Sequence, residues 1–370
     1  MIHLGGRDRL SRIGQTLPLY QRAAAGRAPV RFRLLREHCV ALAADTFHDY
    51  EITGLGPFSI SATSLPAPVP MARYTQFMHP PPRLIAIDMD GTLLPTNSQT
   101  ISGRNARALK AAQEAGITVA IATGRRPAYT APLLMNLGLR ADTPLIASNG
   151  AVLSTLGGDV IDRCHMPARV ARGLCGVLRP FGTVVFTFDR PGRGELVLED
   201  LEAAHVRIAI WVESNRNAIE VVKPLELALV DGEDPIQGMG AGSITQMRDA
   251  ERALKASEWA AECESVRTEY PARDLSILDL LPPGVSKGWA LERLAARLGV
   301  DRNETMAIGD NWNDATMLEW AGQGIVMANA AVELQTLAKT RGWKQAPSND
   351  EDGVAVVLEA ALDKLALAKA

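Results

Sequence analysis

The stretch Leu84-Ile85-Ala86-Ile87-Asp88-Met89-Asp90-Gly91-Thr92-Leu93-Leu94 decides the fold and shows where to look for chemistry. Four apolar residues in a row, with no polar alternation, read as a strand buried on both faces, as in a parallel sheet. Two carboxylates and a Gly-Thr turn follow at once. In open α/β sheets, ligands bind beyond the carboxyl ends of the strands. If strand geometry ends there, alternation puts Asp88 and Asp90 on one face.

Outward from this stretch the rhythm repeats. Ile117 to Ala122, Leu145 to Ala147, Met306 to Ile308 and Gly324 to Met327 are further short apolar runs. Ser102 to Ala115 reads as a helix with a serine N-cap, ending before Gly116. Ser286 to Leu298 reads the same way before Gly299. Strands alternating with helices predict a doubly wound parallel α/β sheet. Residues 153–275 break the pattern and predict an inserted α+β cap, between core segments 81–152 and 276–370. Within it, Ala151 to Thr155 and Val160 to Arg163 read as a hairpin. Thr183 to Phe188, Glu195 to Glu199, Leu225 to Val230 and Leu275 to Leu280 read as strands. Met247 to Trp259 reads as a helix, and Gly238 to Gly242 as a loop, since it lacks the Lys-Ser/Thr pair of a phosphate cradle.

The chain has 370 residues, 47% hydrophobic and 22% charged, with net charge −3. That composition excludes wholesale disorder. The charge provides no global field for nucleic acid or an anionic membrane. No apolar run reaches the roughly 18–20 residues of a spanning helix. Four scattered cysteines without a C-x-x-C pair argue against a disulfide scaffold or zinc ribbon and fit reduced thiols in the cytoplasm. Residues 1–80 contain no lysine and hold four of the six histidines. Residues 55–82 are rich in Gly, Ser and Pro. This segment is expected to be an N-terminal extension, disordered or upstream of a true start at Met71 or Met78.

An ionised aspartate is a serviceable nucleophile toward phosphorus. A second carboxyl kept protonated nearby can give a proton to the leaving alkoxide. Charge is the obstacle: a phosphate approaching Asp88 is repelled by about 4 kcal/mol per unit-charge pair at about 4 Å and an effective dielectric near 20. More acidic ligands for a cation, and a basic group, should therefore lie at other strand ends. Gly309-Asp310-Asn311-Trp312-Asn313-Asp314 follows the run Met306 to Ile308. Asp310 and Asp314, with Asp88, make an oxygen-rich site suited to Mg²⁺. Lys287 stands in the first turn of a helix, where a cation opposes the macrodipole, which points to a role. Thr123 and the amide of Gly124 follow another strand and can donate to phosphate oxygens. Arg125 and Arg126 come next, as candidates for the substrate entrance.

Together these residues resemble the haloacid dehalogenase (HAD) superfamily, whose four motifs appear in order: Asp88-x-Asp90-Gly-Thr, Thr123, Lys287, and Gly309-Asp310-x-x-Asn313-Asp314. An insert between the threonine and lysine motifs resembles the Cof-type phosphatases of subclass IIB. Ala147-Ser148-Asn149-Gly150-Ala151, Leu281 to Gly288 and Ser348 to Val354 fit that group. The resemblance implies Asp88 as nucleophile and metal ligand, and Asp90 as general acid/base and ligand through its carbonyl. It implies Thr123 and Lys287 at the phosphate, with Asn313 and Asn149 nearby. Asp310 would ligate the metal, and Asp314 would act directly on it or behind it. The implied function is Mg²⁺-dependent hydrolysis of a small phosphorylated metabolite, a sugar phosphate or a cofactor-precursor phosphate, through an aspartyl-phosphate, by a monomer or homodimer. Alternatives are a phosphomutase and a non-catalytic phosphometabolite-binding regulator.

Overall fold

The structure is a computed structural model and describes residues 79–190, 194–202, 204 and 206–369. The extension expected over residues 1–80 lies almost wholly outside them. The core opens with β1 (Leu84–Asp88), α1 (Gly103–Glu114), β2 (Thr118–Ala122), α2 (Pro127–Met135) and β3 (Pro144–Ala147). β4 (Val152–Thr155) and β5 (Val160–Arg163) form a hairpin. There follow α3 (Ala168–Leu178), β6 (Thr183–Thr187), β7 (Leu196–Leu198), α4 (Ala209–Asn215), β8 (Ile219–Val221) and β9 (Gln237–Gly242). Next come α5 (Ile244–Lys255), β10 (Glu264–Tyr270) and β11 (Leu275–Leu281). The chain closes with α6 (Lys287–Leu298), β12 (Thr305–Gly309), α7 (Ala315–Trp320), β13 (Gln323–Met327), α8 (Val332–Arg341), β14 (Lys344–Ala346) and α9 (Gly353–Lys369).

Eight strands form the core sheet in the order β14-β13-β12-β1-β2-β3-β4-β5, parallel from β14 through β3. Every residue of β1 is buried. Ile85 and Ile87 face Leu109 of α1 and Leu358 of α9; Leu84 and Ala86 face Leu291 and Leu294 of α6. Burial on both faces explains the continuous apolar run. Ser102 caps α1 by accepting from Asn105 N, and Ser286 caps α6 by accepting from Trp289 N. Gly299 ends α6 in the left-handed region.

The cap sheet has six strands, ordered β10-β11-β9-β6-β7-β8. One face packs on α3 and α5 through Phe186, Leu174, Met247 and Leu278; the other carries Val185, Leu198, Met239 and Leu275. Among the described residues, no helix is long and apolar enough to cross a membrane.

The structure departs from the expected elements in five places. First, the hairpin β4–β5, placed in the cap by a boundary at 153, extends the core sheet antiparallel from β3. The turn at Ser148–Gly150 sends the chain straight back along β3, so its nearest free edge is the core's. Second, β11 pairs with β9 and β10 and so belongs to the cap sheet, although the core was expected to resume at 276. Third, Gly238 to Gly242 is not a loop but part of β9, between β11 and β6. A Cβ on Gly238 would come 2.9 Å from the Phe186 ring, so glycine there makes room for a large core side chain. Fourth, Leu225 to Val230 is not a strand; Leu225–Ala228 is a 3-10 turn entered from Pro224. Leu225 and Leu229 are buried while Leu227 is exposed, a spacing of one helical turn rather than strand alternation. Fifth, the expected helix Met247 to Trp259 begins earlier, at Ile244, behind a Ser243–Gln246 capping box, and ends at Lys255.

Candidate active site

The carboxyl ends of β1, β2, β3 and β12 meet at one edge of the core sheet, and the residues singled out in the sequence gather there. Asp88 ends β1 and is buried. Lys287, at the first position of α6, is 1% exposed; its Nζ donates to Asp88 Oδ1 at 2.6 Å and to Asp314 Oδ1 at 2.7 Å. The two carboxylates hold the ammonium protonated, well above its ordinary range. The helix dipole that disfavours a lysine at this position is thus offset by two direct ion pairs.

Asp314 Oδ2 accepts from the backbone N–H groups of Asp310 and Asn311, each at 3.0 Å. It thereby fixes the loop that leaves β12. Asp310 is held by Thr92, whose hydroxyl donates to Oδ1 at 2.9 Å. Gly91 has φ +84°, and a Cβ there would lie 2.4 Å from Asp310 Oδ2. Both the left-handed turn and the close approach require glycine. One oxygen of each of Asp88, Asp310 and Asp314 lies within 4.8 Å of the others.

The chemistry of this cluster fits a hard divalent cation. Asp88 Oδ2 is buried without a hydrogen-bond partner. Burial, then the Asp314 carboxylate, push Asp88 up to about 7 against the pull of Lys287. Burial, then Asp88 and Asp314, also push Asp310 well up. Crowded carboxylates with one buried oxygen left over are a donor set short of positive charge. Asp314 has both oxygens engaged, so Asp88 and Asp310 are the better placed to hold the ion.

Asp90 is oriented differently. Its carboxylate pairs with the Arg125 guanidinium through both oxygens, Nε donating to Oδ2 at 2.8 Å. Arg125 also donates to Gln99 and lies over the Tyr129 ring. The next residue, Arg126, turns to the cap and pairs with Glu195. Of the two arginines read as candidates for the substrate entrance, one grips Asp90 and the other grips the cap.

Thr123 follows β2 and is buried; its Oγ1 accepts from Arg125 N at 3.1 Å. Gly124 lies against Asn149, whose Nδ2 would be 3.1 Å from a Cβ there. Asn149 sits in the left-handed region, φ 51°. Its Oδ1 accepts from Asn313 Nδ2 at 3.1 Å, so these two carboxamides meet. Asn349, in the motif near the end of the chain, donates from Nδ2 to Leu94 O at 2.9 Å and braces the turn after β1.

Two participants were not read from the sequence. Asp279 of β11 is buried and accepts from Asn149 Nδ2 at 3.0 Å, joining the cap sheet to the Asn149–Asn313 pair. The signal was present: a single acid inside the apolar run Leu275 to Leu281 must find a polar partner. Tyr270, at the end of β10, is the other. Burial, then the carboxylates of Asp90, Asp279, Asp310 and Asp88, raise its phenol above the ordinary range.

Asp279 makes a stability prediction. Burial raises it from 3.8 to about 7, against the Asn149 hydrogen bond and Lys287. Between about pH 4 and pH 7 the folded chain keeps a proton that the unfolded chain has released. This contribution is present below that window and is lost as pH rises through about 7. Asp279→Asn keeps an acceptor for Asn149 and removes the titration. In chelator, the variant is expected to lose less Tm than wild type between pH 5 and pH 8. At pH 8 it is expected to be more stable by a few kcal/mol, taking about 1.4 kcal/mol per pH unit. Identical Tm–pH curves would disprove this assignment.

The chain is similar to known proteins in sequence and fold. The model of the haloacid dehalogenase-like hydrolase family matches residues 85–358. The 5-amino-6-(5-phospho-D-ribitylamino)uracil phosphatase YwtE of Bacillus subtilis (strain 168) is 31% identical over 301 residues, 75% of this chain and 97% of its own. The HMP-PP phosphatase of Escherichia coli O6:H1 is 29% identical over 267 residues, 68% of this chain and 86% of its own. A solved HAD subclass IIB sugar phosphatase shares the fold with a TM-score of 0.60 at 23% identity, over 75% of this chain and 98% of that one. The chain belongs to the haloacid dehalogenase-like hydrolases.

Proposed function

We propose that this protein is a Mg²⁺-dependent phosphatase that hydrolyses a small phosphorylated metabolite through an aspartyl-phosphate on Asp88. The observation that carries the reading is the unpartnered, buried Oδ2 of Asp88 beside an Oδ1 pinned by Lys287. One oxygen is fixed and the other is left to react. Asp88 and Asp310, with the Asp90 carbonyl and Asp314, would hold Mg²⁺, which would supply the positive charge that lets a phosphate approach a carboxylate.

Asp88 Oδ2 attacks phosphorus, and the bond from phosphorus to the leaving oxygen breaks. Asp90 gives that oxygen a proton, so the product leaves as an alcohol. Asp90 then takes a proton from water, whose oxygen attacks the same phosphorus and breaks the bond to Asp88. Asp90 pairs with Arg125 through both oxygens in the resting protein, so it must leave this partner before it can carry the first proton. Lys287, Thr123, the Gly124 amide and the Asn149 and Asn313 carboxamides supply the phosphate's donors. Two relatives are named for phosphorylated cofactor precursors or similar compounds, one of them bearing a phosphoribityl group. A small phosphomonoester fits that range.

The test is phosphate release from a panel of phosphorylated metabolites, with Mg²⁺ and with chelator. Release with Mg²⁺ that stops with chelator is expected. Isomer formation without free phosphate would replace the reading with a phosphomutase. Binding without any turnover by the folded, Mg²⁺-loaded protein would replace it with a regulator.

A further inference from the structure

The buried acid Asp279 stands apart from the reacting groups. It sits in β11 between Leu278 and Leu280, both fully buried, in register with Met239 of β9 on one side and Val266 of β10 on the other. Leu278 and Leu280 pack toward the cap helices α3 and α5. Alternation turns Asp279 the other way, with Leu275 and Ile277. A buried carboxyl is costly unless it is hydrogen-bonded, and for the sheet alone a leucine would serve better.

Its partner is Asn149, whose Nδ2 donates to Asp279 Oδ2 at 3.0 Å while Oδ1 accepts from Asn313 Nδ2 at 3.1 Å. A carboxamide has a donor end and an acceptor end, whereas a carboxylate only accepts. Asp279 thus decides which end of Asn149 faces it, and with that which end faces Asn313. A flipped Asn149 would set Oδ1 against the carboxylate and Nδ2 against Nδ2. The backbone of Asn149 has little freedom to compensate. Ser148 and Asn149 both stand in the left-handed region, at φ 49° and 51°. Ser148 N donates to Arg125 O at 2.9 Å, and Asn149 N donates to Thr123 O at 3.0 Å. A Cβ on Gly150 would come 2.2 Å from the carbonyl oxygen of Ser286, the residue before Lys287. The turn is held between the Thr123 loop and the start of α6, surroundings that over-determine a strained backbone. Its side chain is what stays adjustable, and Asp279 sets it. Asp88 and Asp310 are fixed by Lys287 and Thr92, within the core; the carboxamide pair takes its orientation from the cap.

Resting on the phosphatase reading above, we propose that Asp279 is a positioning residue that acts through Asn149, orienting the Asn149 and Asn313 carboxamides so that their remaining N–H groups are presented to the phosphate. Each Nδ2 carries two N–H groups and spends one within the relay, so each keeps one for the ligand.

The test is a double-mutant cycle on Asp279→Leu, Asn149→Gly and the two combined, read as kcat/KM for p-nitrophenyl phosphate with Mg²⁺. Leucine continues the apolar run of β11, and glycine suits the left-handed backbone at position 149, so the fold should survive. Asp279→Ala takes the place of Asp279→Leu in the cycle if that variant does not fold. Asp279→Leu is expected to lower kcat/KM on the order of 10²-fold, as a misplaced group does. In the Asn149→Gly background the same change is expected to alter it by less than about threefold, because the residue through which Asp279 acts is gone. Asp279→Asn keeps an acceptor for Asn149 and is expected to recover about tenfold of the loss. A loss of equal size in both backgrounds, no loss in either, or an Asp279→Asn no better than Asp279→Leu would overturn the positioning role while leaving the phosphatase intact. If wild type releases no phosphate, from this compound or from the metabolite panel, the phosphatase reading falls. Calorimetric affinities for inorganic phosphate in the same cycle then decide. A loss in Asp279→Leu that disappears in the Asn149→Gly background supports the positioning role. Equal losses in both backgrounds, no loss in either, or no phosphate binding by wild type overturn it.

Discussion

Asp88→Asn is expected to abolish Mg²⁺-dependent phosphate release, with kcat falling on the order of 10⁴-fold or more, as when a covalent nucleophile is removed. The substitution is nearly isosteric. An asparagine oxygen can still accept from Lys287, so the edge of β1 should keep its place. What goes is the unpartnered Oδ2 and the charge behind it. The same change removes a carboxylate that burial pushes up to about 7. In chelator at pH 8 the variant should therefore melt no lower than wild type. Added Mg²⁺ should raise its Tm less, because a ligand that binds only the folded state stabilises in proportion to its affinity for it. A folded variant that keeps more than about 1% of wild-type kcat would remove Asp88 from the nucleophile's role.

Lys287→Met should be the most damaging single change to stability at the site. The ammonium is 1% exposed and bonded to two buried carboxylates. Breaking a buried ion pair by removing one partner costs about 3–5 kcal/mol. At about 2–4 °C per kcal/mol in a domain of 150–250 residues, Tm should fall by on the order of 10 °C. Mg²⁺ should recover part of that loss by restoring positive charge beside Asp88. The phosphate would also lose a donor from a pre-organised site, a change that typically costs 10²–10³ in kcat. A thermal scan with and without Mg²⁺ checks both stability effects. An unchanged Tm in chelator would mean that the ion pairs contribute nothing to the fold.

The strand ends were legible because both the fold and the chemistry mark them. β1 is apolar throughout, since both faces are covered, and the acids begin where that cover stops. Lys287 was legible by its misplacement at a helix start. Sheet membership was harder to read. A hairpin such as β4–β5 has the same local pattern whichever sheet it joins, and only its pairing to β3, set by a tight turn, decides. Gly238 illustrates another limit: glycine reads as loop, yet here it answers to Phe186 on the neighbouring strand. Asp279 announced that it needed a partner, but nothing local to β11 could say that the partner was Asn149. Arg125 and Arg126 are adjacent and alike in sequence, and only the tertiary structure sends one to Asp90 and the other to Glu195.

The assignment of β4–β5 to one sheet and β11 to the other has a consequence for how such a molecule can change. Each sheet closes its hydrogen bonding within itself, and the backbone passes between them only after Arg163 and after Leu281. Everything between those two crossings can be rewritten, lengthened or exchanged for an unrelated fold without shifting the register of β1 against β2 or β12. The edge that carries Asp88 and Asp310 is then set by the core sheet alone, and the segment between the crossings is a replaceable part.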